Sequence, residues 1–556
     1  MKSLKQRIND WRVMRKLQGN KRERGKYAKQ FLRMFLRYLV IAGIIGLIYL
    51  ILLFLLVRVE KNADNATIHT MGDAFWYSLV TFTTVGYGDL APVTPAGRVI
   101  ASVFLLIGIG LLGFFIGFMA EFFRRMRPVF VLAMNTDKPW YIFTAKSFHA
   151  SIFAENLKMI RPNALIIYAE SQEATKTSKD ISVLWTVQEI LVRRGSLFDA
   201  HILCMKENEM ENFLDAVDLA DNGVSTICLA NFTPSQHPVN INFFSLTDCT
   251  ARVFWQQFPV KKKKENILII GFGVAGRVIL DRALELNVFD EEQALCYHIF
   301  GDGSEYCRNR KHLSDFVSLN EISETRDSVI FHDKPWNHDE KLISSADRII
   351  LCADSEWENI EILHTIQKFF AISGELYIYN SNVRSVATSF GRARELLTPA
   401  FVLHNSLSDM ALCRHELFRF FCDQDVPLWE GINSLTKDEN YITTDHISMK
   451  VRILLGDEAP DRPFDEISSD ILQKAADRFQ AAGEQEREKL LRLEHERNLR
   501  FYMLHNFEYG DTIDDEKRTH IMLKPFEKLD EKERQIAETG WMLIGELASH
   551  KKAKGR

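Results

Sequence analysis

The chain has 556 residues, of which 46% are hydrophobic and 26% charged, and this composition excludes a disordered, collagen-like or disulfide-scaffold protein. At about 150 residues per domain, the length predicts three or four domains. The net charge of −5 hides an asymmetry, because residues 1–37 hold thirteen Lys or Arg and two acids. A basic segment directly before an apolar run is typical of a membrane-topology signal.

Two uncharged runs have the length of membrane-spanning helices, Tyr38–Val57 and Val99–Ala120. A helix of about 20 residues covers roughly 30 Å, the thickness of the hydrocarbon core of a bilayer. Basic residues precede the first run, and three arginines between residues 124 and 127 follow the second. Because positive charge stays inside, we expect a multi-pass protein of the cell membrane with both termini in the cytoplasm.

The apolar stretch 75–85, between the two runs, is too short to span a membrane and predicts a re-entrant segment. Irregular backbone at that depth must be buried in protein or line a watery cavity. Gly86 and Gly88 permit backbone angles that turn successive carbonyls toward one axis. Four copies of such a loop would stack rings of oxygens that can replace the hydration shell of K⁺.

The sequence TTVGYGD at residues 83–89 resembles the signature filter of potassium channels, with helix, filter and helix in the same order. The resemblance implies a selectivity filter of Thr84, Val85, Gly86, Tyr87 and Gly88, with K⁺ at the first four. It also implies support of the filter by Asp89, Trp76 and Tyr77. One loop per chain predicts a homotetramer in a lipid bilayer.

The second run would be the pore-lining inner helix, and its glycines make it easy to bend. The resemblance favours a gating hinge at Gly108, and Gly113 and Gly117 are further hinge candidates. Close helix packing is the alternative function for each glycine. Glu121 would either form a carboxylate ring in the inner vestibule or pair with a nearby arginine.

Residues 266–286 predict a strand, a turn and a helix, with Gly271, Gly273 and Gly276 forming GxGxxG in the turn. In that context the glycines and the helix N-terminus are suited to a pyrophosphate. A second strand, 294–300, ends beside Asp302, which can accept hydrogen bonds from ribose hydroxyls. The alternative is a Rossmann-like lobe that keeps its glycines only for packing.

Residues 140–229 have the same strand and helix rhythm, but their first turn, TAKSFHAS, has no glycine. A pore followed by two Rossmann-like lobes resembles channels with regulator-of-K⁺-conductance (RCK) domains. The resemblance implies a cytoplasmic gating ring and, at the glycine turn with Arg277, a regulatory NAD or ADP. Some members of that family sense Ca²⁺ instead, and such a site would need residues distant in the sequence.

The C-terminal segment contains EHER, YGD, DDEK, TH and PF motifs that resemble the repeat domain of ryanodine receptors. We therefore expect a membrane α-helical pore, two α/β Rossmann-like domains and a small α-helical C-terminal domain. The predicted divisions are a basic N-terminus (1–30), the pore module (31–125), the first lobe (126–260), the second lobe (261–425), a connecting region (426–470) and the helical domain (471–556).

These patterns favour a ligand-gated potassium channel that is not an enzyme and binds no nucleic acid. The first alternative is a constitutive pore with structural lobes. The second is a membrane-anchored NAD-dependent oxidoreductase, which would need a proton-relay His or Lys that the sequence does not identify.

Overall fold

The computed structural model describes residues 43–44, 46–171, 180–194, 199–232, 234, 238, 240–379, 393–395, 403–421, 426–460 and 467–554. The chain divides into two compact units, Met1–Trp140 with Leu165–Ala200, and Tyr141–Ala164 with His201–Arg556. The predicted basic N-terminus and residues 38–42 and 45 of the first predicted span lie outside the described residues.

Three helices form the described part of the predicted pore module: residues 46–60, α1 (Met71–Phe82) and α2 (Pro95–Met134). α1 begins with a capping box, since the Thr70 hydroxyl accepts the N–H of Asp73 and the Asp73 carboxylate accepts the N–H of Thr70. A buried cluster consists of Leu53, Leu56, Ile68, Ala74 and Phe104.

Within the described residues, no helix combines the length and hydropathy needed to cross a bilayer.

α2 is longer than the predicted inner helix and extends through the predicted domain boundary at residue 125. It includes Pro128 and is continuous past Gly110 and Gly113, where the glycines allowed for a break. A proline removes one backbone donor, and the apolar residues after it continue the helix to Met134. The boundary between the pore module and the first lobe therefore lies between Met134 and the strand that begins at Trp140.

The first α/β region has a six-stranded sheet in the order β3-β2-β1-β4-β5-β6. The strands are β1 (Trp140–Phe143), β2 (Leu165–Tyr168), β3 (Asp180–Ser182), β4 (Ala200–Cys204), β5 (Ser225–Leu229) and β6 (Ile241–Phe244). The helices are α3 (Phe148–Ile160), α4 (Val187–Arg194), α5 (Glu209–Leu219) and α6 (Leu246–Gln257). The strands of the first predicted lobe are thus confirmed as a Rossmann-like α/β arrangement.

The second α/β region has a seven-stranded sheet in the order β13-β12-β11-β7-β8-β10-β9. Its strands are β7 (Asn266–Ile270), β8 (Cys296–Phe300), β9 (Ser318–Leu319), β10 (Ser328–His332), β11 (Arg348–Leu351), β12 (Glu375–Ile378) and β13 (Ala393–Glu395). Its helices are α7 (Val274–Leu286), α8 (Ser304–Asn309), α9 (Leu313–Phe316), α10 (Glu340–Ser345) and α11 (Glu356–Phe369).

All pairings of this second sheet that involve β7 are parallel, and the chain leaves β7 for β8 on one side and returns to β11 on the other. Ile269 lies opposite Ile299 of β8 and Ile350 of β11. The glycine turn follows the carboxyl end of β7, where the connections lead to β8 on one side of β7 and to β11 on the other. In open α/β sheets, ligands bind at such a switch point.

Helix α6, which the predicted boundaries place in the first lobe, packs into the core of the second. Phe254 and Trp255 share a buried cluster with Ile279 and Ala283 of α7. The Trp255 indole N–H donates to the Ile279 carbonyl at 3.0 Å. The predicted boundary at residue 260 therefore separates α6 from α7, the helix that it contacts. The sequence indicates that α6 has an apolar face but not which helix packs against that face.

The C-terminal helices are α12 (Leu403–Phe421), α13 (Ser434–Asp445), α14 (Ile447–Leu455), α15 (Ser469–Gln480), α16 (Glu484–Leu504) and α17 (Glu531–Lys554). Between the last two lie β14 (Glu508–Tyr509) and β15 (Thr519–His520). α12 and α14 share a buried core with α15 and α17 through residues such as Leu417, Val451, Phe479 and Trp541. The C-terminal core therefore includes α14 of the predicted connecting region and α12 of the predicted second lobe.

Buried ion pairs join these C-terminal helices to the second α/β region. Arg500 Nη1 of α16 lies 2.7 Å from Asp327 Oδ2, and Arg252 Nε of α6 lies 2.5 Å from Asp445 Oδ2 of α13. Both arginines and both aspartates are buried. Since removal of one partner from a buried pair costs about 3–5 kcal/mol, these contacts hold the two parts in one arrangement.

Candidate functional site

In the loop after α1, residues with positive and negative φ angles alternate. The φ angles are +57° at Thr84, +62° at Gly86 and +74° at Gly88, whereas Val85 and Tyr87 are outside the left-handed region. A Cβ on either glycine would meet nothing within 4 Å, so the loop requires glycine for its backbone angles and not for space. Alternation of left- and right-handed residues turns successive carbonyls toward the same side of the chain.

The amino end of this loop is fixed to the end of α1. The backbone N–H of Val85 donates to the Val80 carbonyl at 3.1 Å, and the N–H of Thr84 donates to Thr81 at 3.1 Å. The Thr83 hydroxyl donates to the Leu79 carbonyl at 2.8 Å. These bonds occupy carbonyls at the C-terminus of α1 and set the direction in which the loop leaves the helix.

Trp76, which the resemblance gives as a support residue, contacts the loop through Asp89 and Tyr87. The Trp76 indole N–H donates to Asp89 Oδ2 at 2.8 Å. Its ring lies parallel to the Tyr87 ring, with centroids 6.2 Å apart and an interplanar angle of 3°. Tyr77, the other predicted support residue, packs instead against the buried cluster that contains Leu53 and Phe104.

The loop is exposed in the single chain, with Val85 at 53% and Tyr87 at 69% relative exposure. α1 itself is anchored from behind, because the Tyr49 hydroxyl and the Ser78 hydroxyl are 2.6 Å apart. The Tyr49 ring also contacts Phe82 and Phe104, with centroids 5.8 Å from each. The exposed loop therefore rests on a helix that the aromatic cluster holds in place.

Glu60, which the sequence analysis missed, joins the end of the first helix to the start of α2. Its carboxylate accepts the backbone N–H groups of Val93 at 2.9 Å and Thr94 at 3.0 Å, and the Thr94 hydroxyl at 2.5 Å. Burial alone would raise the pKa of Glu60, but these hydrogen bonds lower it below its ordinary value. A Cβ on Gly97 would overlap the same carboxylate.

No spacing in the sequence points to Glu60, because its partners lie more than thirty residues later. An acid at the end of an apolar run, followed by a Thr-Pro-Ala-Gly helix start, is the pattern that could have indicated it. A carboxylate and a glycine opposite each other are recognised only when the two helix ends meet.

The glycine turn of the second α/β region is tightly packed. Gly271 has a φ of +92°, and a Cβ there would lie 2.5 Å from Ala353 Cα. A Cβ on Gly276 would overlap the Gly271 carbonyl oxygen. Gly273 is the N-cap of α7 and supplies no side-chain cap, so the first N–H groups of the helix lack a side-chain acceptor from that residue.

The predicted polar residues lie beside this turn. Arg277 Nη1 is 2.8 Å from Glu305 Oε2, and its Nε donates to the Phe272 carbonyl at 3.3 Å. Asp302 Oδ1 accepts the backbone N–H of Ser304 at 2.9 Å. Hydrogen bonds from the Ser304 hydroxyl and backbone N–H lower the pKa of Asp302 below its ordinary value, because they stabilise the ionised carboxylate.

The corresponding turn of the first α/β region is occupied by Ser147. Its hydroxyl accepts the N–H of Ala150 at 2.9 Å at the start of α3 and donates to the Met205 carbonyl. The turn of the first region, which has no glycine in its sequence, therefore ends in a serine whose side chain caps α3.

The predicted inner-helix residues are described only in part. A Cβ on Gly117 would meet nothing within 4 Å, so close packing in the single chain does not require glycine there. The side-chain environments of Gly108, Gly113 and Glu121 lie outside the described residues, and their roles stay predictions.

α2 and the first strand are joined through a short, hydrogen-bonded junction. The Trp140 indole N–H donates to the Asn135 carbonyl at 2.8 Å, and Arg194 Nη2 donates to the Lys138 carbonyl at 2.8 Å. The Asn135 side chain in turn donates to the Val131 carbonyl of α2 at 2.6 Å.

In the described residues, no group of three or more His, Cys, Asp and Glu side chains is arranged to hold a metal ion.

Residues 35–125 match a family model described as ion channel. A voltage-gated potassium channel of Aeropyrum pernix is 37% identical over 91 residues, which cover 16% of this chain and 31% of that channel. The calcium-gated potassium channel TvoK of Thermoplasma volcanium is 44% identical over 54 residues, or 10% of this chain and 16% of the relative. Both relatives are channels, in agreement with the prediction that the chain is not an enzyme.

Among solved structures, the ADP-bound GsuK aligns with 67% of this chain and 97% of its own, at 15% identity and a TM-score of 0.32. The NAD-bound GsuK channel aligns with 70% of this chain and 85% of its own, at 13% identity and a TM-score of 0.31. Scores of this size do not establish a common arrangement of the whole chains. The chain thus matches the family model over residues 35–125 and spans 31% and 16% of the two potassium channels, so these similarities describe a minor part of each protein.

Proposed function

We propose that four copies of the chain form a potassium-selective channel in the cell membrane, with residues 84–88 of each copy lining one filter. The observation that carries this proposal is the alternating backbone of the loop, with positive φ at Thr84, Gly86 and Gly88. Carbonyls that face one side are suited to replace the water around a dehydrated K⁺. The contact between Trp76 and Asp89 would hold the loop at the width that K⁺ requires.

The tetramer is supported by the number of loops and by their exposure. Each chain carries one filter loop, and a closed ring of carbonyls needs several. The exposed faces of Val85 and Tyr87 would be covered by neighbouring copies and by the pore axis. The positive charge before residue 38 and after residue 123 supports cytoplasmic termini.

The second α/β region is proposed as the sensor, which binds NAD or ADP at Gly271, Gly273, Gly276, Arg277 and Asp302. Its support is the uncapped start of α7 at the switch point of a parallel sheet. The ligand can bias opening only through a difference in its affinity for the open and closed states. The junction between Met134 and Trp140 would carry that difference to α2.

Recording from full-length protein in planar bilayers tests the proposal. We expect K⁺ current with little Na⁺ current, and a change in open probability when NAD or ADP is added on the cytoplasmic side. Equal passage of Na⁺ and K⁺ would refute the filter. K⁺ current that ignores both nucleotides would refute the sensor and favour the constitutive pore.

A pair of glycine substitutions makes the filter test specific. Gly86→Ala forces a side chain onto a φ of +62°, so K⁺ selectivity should be lost. Gly72→Ala, in the first turn of α1, places a methyl group in ordinary contact at 3.5 Å and should leave selectivity unchanged. If both variants select K⁺ as the parent does, the loop backbone is not the filter.

A further inference from the structure

Asp354 lies directly against the second glycine of the GxGxxG turn. A Cβ built on Gly273 would overlap Asp354 Oδ1 and lie 2.6 Å from Oδ2. The carboxylate therefore fills the space that this glycine leaves open. In dinucleotide-binding folds, the absent side chain of that glycine allows the pyrophosphate to approach the backbone.

The backbone that carries Asp354 is firmly placed. The N–H of Cys352 donates to the Ile270 carbonyl at 2.7 Å. Buried Asn359 accepts the N–H of Ala353 at 2.8 Å and donates to the Ala353 carbonyl at 3.2 Å. Asp354 itself is exposed. Its backbone is thus fixed beside the turn, while its side chain is accessible to solvent.

The electrostatics of the turn explain why a carboxylate is stable there. The N-terminus of α7 carries a partial positive charge, and Gly273 offers no side-chain cap. An anion at this position is therefore stabilised whether it comes from the chain or from a ligand. A phosphate and the Asp354 carboxylate carry charges of the same sign and cannot share the place without a repulsive cost.

The first α/β region shows that the fold does not require an acid at this position. Asn231 follows β5 after Ala230, and Asp354 follows β11 after Cys352 and Ala353. The Asn231 side-chain amide donates to Glu209 Oε1 at 2.6 Å, and its backbone N–H donates to Glu209 Oε2 at 2.8 Å. The acid is thus a particular property of the region with the glycine turn.

We infer that the Asp354 carboxylate takes the phosphate position of the nucleotide site and competes with the ligand, so that it sets the affinity of the sensor. A nucleoside diphosphate binds by displacing the Asp354 side chain into solvent. The inference rests on the proposed function, because it assumes that the glycine turn is a nucleotide site.

The test is calorimetric titration of the full-length protein in lipid nanodiscs with ADP and with NAD. Asp354→Asn removes the charge at nearly constant volume, and Asp354→Ala also empties the space. Both should bind about tenfold more tightly than the parent, and the gain should shrink as salt is raised. Glu358→Gln, which removes an exposed acid one turn along α11, should leave the affinity within about twofold.

Each outcome decides one question. Tighter binding by both Asp354 variants, with a salt-dependent gain, supports the inference, as does binding that only these variants show. Unchanged or weaker binding by Asp354→Asn overturns it while the nucleotide site stands. Absence of binding by the parent and both variants overturns the nucleotide site itself.

Discussion

The two α/β regions differ most at the place where each first helix begins. In the first region, the Ser147 hydroxyl caps α3 and binds the Met205 carbonyl, so the helix start is satisfied from within the chain. In the second region, Gly273 caps α7 without a side-chain hydrogen bond, and Gly271 makes the turn at a φ of +92°. The difference shows that the same βαβ arrangement can either cap its helix N-terminus with a side chain or leave the N–H groups there available to an anion.

The largest expected effect comes from Gly271→Ala. The methyl group would meet the backbone of Ala353 and occupy a left-handed φ, so we expect a loss of about 3 kcal/mol of unfolding free energy and of nucleotide binding. Thermal unfolding of the full-length protein measures the first and titration the second. Gly483→Ala, with no atom near its Cβ, is the matched control. An unchanged melting temperature for Gly271→Ala would break the comparison.

A smaller effect is expected from pH, through His298 on β8. Its Nδ1 lies 3.0 Å from Nε2 of His332, and burial together with that neighbour lowers the pKa of His298 to about 4. Because the unfolded side chain titrates near pH 6.5, the unfolded state binds more protons between pH 6.5 and 4. The folded state should therefore lose stability as the pH falls through that window, by on the order of 1 kcal/mol for each pH unit.

The difference between His298→Gln and the parent isolates this effect from other titrating groups. Thermal unfolding of both proteins at pH 7 and pH 4.5 should show a smaller drop in melting temperature for the variant. Equal drops would mean that His298 is not kept neutral by the fold.

The smallest effect is expected from Ser147→Ala in the first region. Loss of the N-cap should cost about 1 kcal/mol, while the affinity for ADP and NAD stays unchanged. Ser151→Ala, one turn further along α3, is the matched control. If Ser147→Ala abolished the nucleotide response, the first region would be the sensor. The conclusion that only the helix start of the second region is available to a nucleotide would then be wrong.

Much of the local structure follows from the sequence. The strands at residues 266–270 and 348–351 are short apolar runs bounded by turn signals, and GxGxxG after the first of them identifies the helix that follows. Through its resemblance to potassium channels, the filter motif singled out Trp76 and Asp89 as support residues, and the two side chains are hydrogen-bonded. These features depend on neighbouring residues or on one specific motif.

The features that the sequence did not indicate depend on contacts between distant segments. Glu60 meets Thr94 and Gly97 only when two helix ends come together. α6 packs on α7, and α12 and α14 pack into the C-terminal core, because their apolar faces match partners far along the chain. Asp354 has no pattern around it that would place its carboxylate on Gly273.

The hydrogen-bonded segment between Met134 and Trp140 limits how motion can pass between β1 and α2. Five residues tied by the Trp140 indole, the Asn135 amide and the Arg194 guanidinium leave little slack to absorb a displacement. A shift of β1 would therefore be transmitted to the C-terminal end of α2 with little loss. Lengthening this segment with a few glycines should uncouple the two ends without altering either one.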